Sequence, residues 1–123
     1  MVTLDTNAII YYLKDDANAI ATLEAFVCAR TPMFLATVME LELFSLPTIT
    51  VPESERIEAL LLLFSIFPLN SEIARKAAEL RRRSKLKIAD SIIAATALFT
   101  HSTLVTRNVR DFKKVAELDV QTV

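Results

Sequence analysis

Five acids stand where chemistry is as natural a reading as solvation. Asp5 directly follows the apolar stretch "VTL", Glu40 and Glu42 follow "MFLATV", Asp90 interrupts "KIADSIIAATAL", and Asp111 follows "TLVT". In a parallel sheet, acids placed after strands gather at the carboxyl edge, where ligands bind. Two carboxylates about 4 Å apart repel by roughly 4 kcal/mol at an effective dielectric near 20. Such a cluster needs protons or a cation. Mg²⁺ takes oxygen ligands and keeps several waters, so carboxylates can hold it against a phosphate. There it lowers the pKa of a bound water and neutralises charge growing on phosphorus oxygens.

Each acid also has a plainer reading. An aspartate at a strand end caps the next helix about as readily as it binds anything, and Asp111 or Asn108 equally suits a cap for the last helix. Glu40 and Glu42 would point about 200° apart on a helix, so at most one faces Asp5. At about 100° per residue, Asp90 shares its face with Ala94, Ala97 and His101, opposite a bulkier stripe of Ile88, Ile92, Ala95 and Phe99. That pattern predicts an open, small-residue face beside Asp90 and a core-facing stripe behind it. His101 is expected as a polar helix end.

The elements that must position these acids alternate. "MVTL", "MFLATV", "SIFPL", "TLVT" and "LDVQTV" are strand candidates, the last an edge strand. Helices are expected over "AIIYYLK", "ANAIATLEAFVCAR", "MELELFSLP" up to Pro47, "ESERIEALLLLF" after Pro52, "SEIARKAAELRRRS", about 87 to 101, and 109 to 115. In the fifth of these, Ile73, Ala77 and Leu80 form the i, i+4, i+7 core stripe. Strands alternating with helices predict an α/β fold: a mostly parallel central sheet of four to five strands, covered by helices on both faces, in one domain over residues 1–123.

Composition narrows the function. The chain contains no glycine, which disfavours phosphate-cradling P-loops and dinucleotide fingerprints. The net charge of -1 conceals an asymmetry: residues 1–74 carry 3 Lys/Arg and 10 Asp/Glu, a balance of -7, and residues 75–123 carry 11 and 5, a balance of +6. Basic residues crowd "LRRRSKLK" and "TRNVRDFKK", either a solvated face or a surface for phosphates or an acidic partner. The single Cys28 is expected as a small core filler. No apolar stretch approaches the roughly 20 residues of a membrane span, and "MVTLDTN" lacks the pattern of a secretory signal. A soluble, cytoplasmic protein is the expectation.

"LDTNAIIYYLK", an acid-Leu element after the second strand, "LKIADSIIAATAL" and "LVTRNVRDF" follow one another in the order and spacing of PIN-domain proteins, and the chain resembles their VapC type, the toxin half of toxin-antitoxin pairs. The resemblance runs from residue 2 to about 121. It implies a PIN-like three-layer α/β/α fold and an endoribonuclease dependent on Mg²⁺ or Mn²⁺, cutting RNA to leave a 5′-phosphate and a 3′-hydroxyl. Asp5 and Asp90 match the family's two most regular acids. "ELFSLP" matches the acid-Leu helix in a register that selects Glu42; the register that selects Glu40 instead places Thr37 at the family's Thr position. Some relatives carry an acid where Asn108 stands, so Asp111 is the candidate fourth acid. Thr106 is a candidate for site support, as is Asn108. Arg83, Lys85, Arg107 and Arg110 are candidate contacts to RNA phosphates, or to a dimer or antitoxin surface. The implied partners are RNA, a VapB-like antitoxin and a second copy in a homodimer.

Rivals are fewer. A phosphoreceiver domain would need an acceptor aspartate at a central strand end, and no aspartate lies between Asp16 and Asp90. A haloacid-dehalogenase phosphatase would need an aspartate where Asn7 stands. A PIN-like binding domain with a degenerate metal site survives through Asn108.

Overall fold

The computed structural model describes residues 1–123. Five strands, β1 (Val2–Leu4), β2 (Met33–Ala36), β3 (Ser65–Phe67), β4 (Thr103–Thr106) and β5 (Val120–Thr122), form one sheet in the order β3-β2-β1-β4-β5. Every pairing is parallel, with Val2 beside both Met33 and Thr103. The helices are α1 (Thr6–Leu13), α2 (Ala17–Cys28), α3 (Thr37–Phe44), α4 (Val51–Leu61), α5 (Ser71–Ser84), α6 (Ile88–Phe99) and α7 (Val109–Phe112). α6 packs against β1, β2 and β4 with α5 and α3 beside it, and α1 packs against α2, α3 and β4. No helix is long and apolar enough to cross a membrane.

Central strands carry the apolar runs that two covered faces demand. Leu4, Leu35, Leu104 and Val105 are all buried, and around them close Ile9, Met39, Leu43, Ile57, Ile93 and Phe112. The α5 stripe of Ile73, Ala77 and Leu80 is buried as the spacing requires, with Ser84 continuing it. Several boundaries differ from expectation. β2 ends at Ala36, so Thr37 and Val38 are already helical. α4 begins at Val51 with Pro52 in its first turn, where the missing N–H leaves no hydrogen bond unmade. α7 is a single turn ending at Phe112, and β5 spans only Val120–Thr122, leaving Leu118 as a buried loop residue.

Two packing expectations are overturned. Cys28 is exposed, at the last turn of α2, because the helix buries Ala19 and Leu23 instead. In α6 the end residues Ile88 and Phe99 are 60% and 36% exposed, whereas Ala94, Ala95 and Ala97 have no exposed surface. Seven consecutive residues, Ser91–Ala97, are buried, so the helix is enclosed on all sides. The alanines are therefore not an open face. They let α6 lie close against β1, β2 and β4 on one side and α3 and α5 on others.

Without glycine, the helix ends use other residues in left-handed conformation. Asp15, Arg30, Lys85 and His101 have φ of 61°, 54°, 55° and 53°. At three of these ends the next amide reaches back to the helix, Asp16 to Tyr11, Thr31 to Phe26 and Ser102 to Ala97, at 3.0, 2.9 and 3.0 Å. That is the Schellman closure, which satisfies orphan carbonyls at the expense of backbone strain in a non-glycine residue. His101 is the exposed helix end foreseen for it.

Candidate functional site

The sheet order changes direction between β1 and β4, and this switch point is where an open parallel sheet leaves a crevice. Asp5 leaves β1 there and Thr106 ends β4 beside it. The Asp5 amide continues the ladder to the Val105 carbonyl at 3.1 Å. Its carboxylate occupies the N-cap position of α1 yet makes no capping bond. Instead Asp5 Oδ2 accepts a 2.7 Å hydrogen bond from the buried Thr106 hydroxyl, which in turn accepts from the Asn108 amide at 2.9 Å.

Burial raises the Asp5 pKa above the usual carboxylate range, the Thr106 hydroxyl offsets part of that, and the charge of Glu42 adds to it. Thr106→Val removes the donor while keeping the shape. A buried acceptor left without its partner costs about 1–3 kcal/mol. Because the hydroxyl favours the ionised carboxylate, its loss raises the Asp5 pKa further, and the destabilisation is larger near neutral pH than at about pH 4. Thermal melts of the metal-free variant at both pH values measure this; an equal loss at both would show that the hydroxyl does not act on the carboxylate charge.

α3 brings Glu42 to the same place. Its Oε1 accepts from the Thr6 hydroxyl at 2.7 Å. Glu40 lies on another face of α3, lining a groove with Glu55, Glu58, Phe44 and Leu62, so the structure brings Glu42 and not Glu40 to Asp5. The two registers left open by the sequence lie two residues apart, and where α3 starts separates them: with Thr37 as its first residue, Met39 and Leu43 face the core and Glu42 falls beside Thr6.

Asp90 enters from the first turn of α6. It is half-buried and has neither a hydrogen-bond donor nor an ion-pair partner. Its pKa is pushed up to about 6, first by burial and then by the charges of Asp5, Glu42 and Asp111, with Lys87 opposing. An unpaired carboxylate facing like charges is what structural acids avoid, since burying charge without a partner is unfavourable.

Asp111 is differently placed. It sits inside α7, held by the Asn108 side-chain amide at 2.9 Å and by Lys114 at 3.7 Å. The Asn108 bond, with Lys114 and Arg110, keeps its pKa below the usual range. Asn108, the N-cap residue of α7, thus joins Asp111 to Thr106.

The donor set is all oxygen: the acids Asp5, Glu42 and Asp90, the hydroxyls of Thr106 and Thr6, and Asp111 as a fourth acid. No group of three or more His, Cys, Asp or Glu side chains closes tightly enough to hold an ion by itself. A hydrated Mg²⁺ needs only one or two direct carboxylates and fills its shell with water, and the mutual repulsion recorded at Asp90 is the repulsion a divalent cation relieves. The residues fit that group.

The basic candidates divide. Lys85 and Arg110 are exposed and form no ion pair. Arg83 is held by Glu117 at 2.6 Å and Glu79 at 3.8 Å, and Arg107 by Asp16 at 2.7 Å. Neither of these two arginines offers a free charge to a phosphate in this structure. Sequence reasoning missed Thr6, foreseen only as part of a capping "DTN", and Lys87, the cation whose charge opposes the rise at Asp90; both follow from which face of α1 and α6 meets Asp5, which pattern alone does not give.

Comparison with known proteins adds the following. A family model described as PIN domain matches residues 2–118. No curated protein sequence matches significantly. Among solved structures, a toxin-antitoxin complex from Klebsiella pneumoniae has a chain 28% identical, with TM-score 0.83, covering 99% of this chain and 97% of that one. FitAcB from Neisseria gonorrhoeae is 25% identical with TM-score 0.78, covering 98% and 96%. VapBC2 from Rickettsia felis, bound to a DNA fragment from its promoter, shares the fold at TM-score 0.85 and 20% identity, covering 100% and 99%.

Proposed function

The chain belongs to the PIN domain family, and from that premise we propose that it is a divalent-metal-dependent endoribonuclease acting as the VapC-like toxin of a toxin-antitoxin pair. The observation that carries the reading is Asp90: a half-buried, unpaired carboxylate facing Asp5 and Glu42 at the sheet's switch point, its pKa raised to about 6 first by burial and then by the charges of Asp5, Glu42 and Asp111. Asp5, Glu42 and Asp90 would hold Mg²⁺ or Mn²⁺, with Asp111 as the fourth acid of the site. When bound, the cation supplies an activated water and neutralises charge developing on the phosphate.

The chain's own groups do the rest. Thr106 and Thr6 donate to one oxygen of Asp5 and of Glu42 respectively, which holds both carboxylates in place. Lys85 and Arg110, exposed and unpaired, hold RNA phosphates flanking the break, a salt-dependent contribution indifferent to sequence. The toxin-antitoxin complex that resembles this chain supports a small VapB-like antitoxin as the partner, and the family supports a homodimer in the cytoplasm.

Incubation of purified protein with structured RNAs in Mg²⁺, Mn²⁺ or EDTA, beside Asp5→Asn prepared identically, tests the activity. Cleavage in either metal, none in EDTA or in the variant, and 5′-phosphate product ends are expected. Cleavage that survives EDTA, or 2′,3′-cyclic ends, overturns the mechanism. No cleavage under any condition makes the domain a binding module with a degenerate site.

A further inference from the structure

Arg107 is the most heavily engaged side chain at the carboxyl edge, although it touches none of the acids of the site. Its Nη2 and Nη1 donate to Asp16 Oδ2 and Oδ1 at 2.7 and 3.3 Å, a two-pronged pair. Its Nε donates to the Val123 carbonyl at 3.0 Å, and its guanidinium lies over the Tyr11 ring at 3.9 Å from the centroid. One side chain thereby ties the exit of β4 to α1, to the N-cap of α2 and to the residue after β5. The pair is about a third exposed on each side, so its geometry, more than its charge, is the asset. Only a planar fork meets a carboxylate in this way and stacks on a ring as well.

The residues on either side of Arg107 are the ones that hold the acids. Thr106 donates to Asp5, and Asn108 donates its backbone amide to Thr106 and its side-chain amide to Asp111. A peptide unit is planar, so only φ and ψ separate the three residues. Pinning Arg107 on three sides therefore fixes where the Thr106 hydroxyl and the Asn108 amides point. We propose that Arg107, clamped by Asp16 and Tyr11, is a positioning residue that sets the Thr106–Asn108 segment and through it Asp5 and Asp111. The inference rests on the metal-dependent nuclease reading, and it replaces the alternative in which Arg107 grips RNA directly.

Asp16 separates the two. It caps α2 by accepting from the Ala19 amide at 3.0 Å, and asparagine caps as well as aspartate, so Asp16→Asn loses the ion pair but keeps the helix start. The full chain is compared as wild type, Arg107→Met, Asp16→Asn and the double variant. Mn²⁺ affinity is read by calorimetry, and kcat and KM for RNA at two salt concentrations. If Arg107 positions, each single variant weakens Mn²⁺ binding and lowers kcat by about tenfold, the usual effect of losing a group that orients a metal ligand. KM stays within about twofold and the double variant is no worse than either single one. A raised KM with a shallower salt dependence in Arg107→Met, and a silent Asp16→Asn, would make Arg107 an RNA contact. A fall in melting temperature with Mn²⁺ affinity and kcat intact would make the clamp merely structural. Should Arg107→Met fail to fold, Asp16→Asn decides alone. Wild type that binds Mn²⁺ without cutting RNA refutes the nuclease reading while the affinities still decide the clamp; wild type that binds no Mn²⁺ refutes both.

Discussion

Asp90→Asn is expected to abolish RNA cleavage by roughly a thousandfold or more while making the metal-free protein more stable. The first effect follows from a lost charge: a metal and its ligands contribute several kcal/mol to stabilising a phosphoryl transition state, and about 4 kcal/mol corresponds to roughly a thousandfold in rate. The second follows from the direction of the pKa. Asp90 moves from 3.8 in its ordinary state to about 6 in the fold, so the folded protein binds a proton more tightly than the unfolded chain. Stability from this group is therefore intact below about pH 4 and is lost as pH rises through about 6. The full shift would be worth about 3 kcal/mol, and screening at a half-buried site reduces that to about 1–2 kcal/mol. Asparagine carries no such penalty. In EDTA at pH 7 the variant should melt about 4–8 °C above wild type, and the gap should close at about pH 4. A variant that melts lower at pH 7 would show that Asp90 is a structural acceptor, and retained cleavage would remove it from the chemistry.

These opposite signs separate a functional acid from a structural one, and the structure shows why only part of that distinction was legible beforehand. Asp5 was placed by a strand end alone, because a short apolar run followed by a polar residue locates the carboxyl edge without any knowledge of packing, whereas Thr106 was singled out only through the family resemblance. The α5 stripe was equally legible, since one face of that helix is buried and the other is charged. Glu40 and Glu42 were not separable, because they stand two residues apart and exchanging their faces takes only a two-residue shift of register, and the start of α3 is set by where β2 stops pairing with β3 at Ala36. The partner of Arg107 was not legible either. A basic residue near an acid cluster suggests a phosphate, and nothing in the local sequence shows that it pairs with Asp16, ninety-one residues away. Cys28 shows the limit of composition: small apolar residues are common in cores, yet α2 turns that one outward.

The α6 reading failed most instructively, and it yields the other large effect. Periodicity treats isoleucine as inside and alanine as neutral, which holds for a helix with one wet face. A helix enclosed by the sheet, α3 and α5 selects for thinness instead, and small residues mark where it approaches its neighbours most closely. Ala94 has no exposed surface and Ile88 is 60% exposed. Ala94→Leu must then force its extra carbons into filled space, at about 1–3 kcal/mol, a loss of roughly 4–12 °C in melting temperature for a chain of this size. Ile88→Ala should change stability by no more than about 0.5 kcal/mol, the ordinary range for exposed positions. The same swelling moves the first turn of α6 away from β1, and Asp90 with it, so Ala94→Leu should also lower Mn²⁺ affinity even where enough folded protein remains to measure. The periodic pattern predicts the reverse order, with Ile88→Ala severe and Ala94→Leu mild. Calorimetric melts of the two variants distinguish an enclosed helix from one with an open small-residue face, and with that whether Asp90 owes its position to space left beside it or to the tight seat of the helix that carries it.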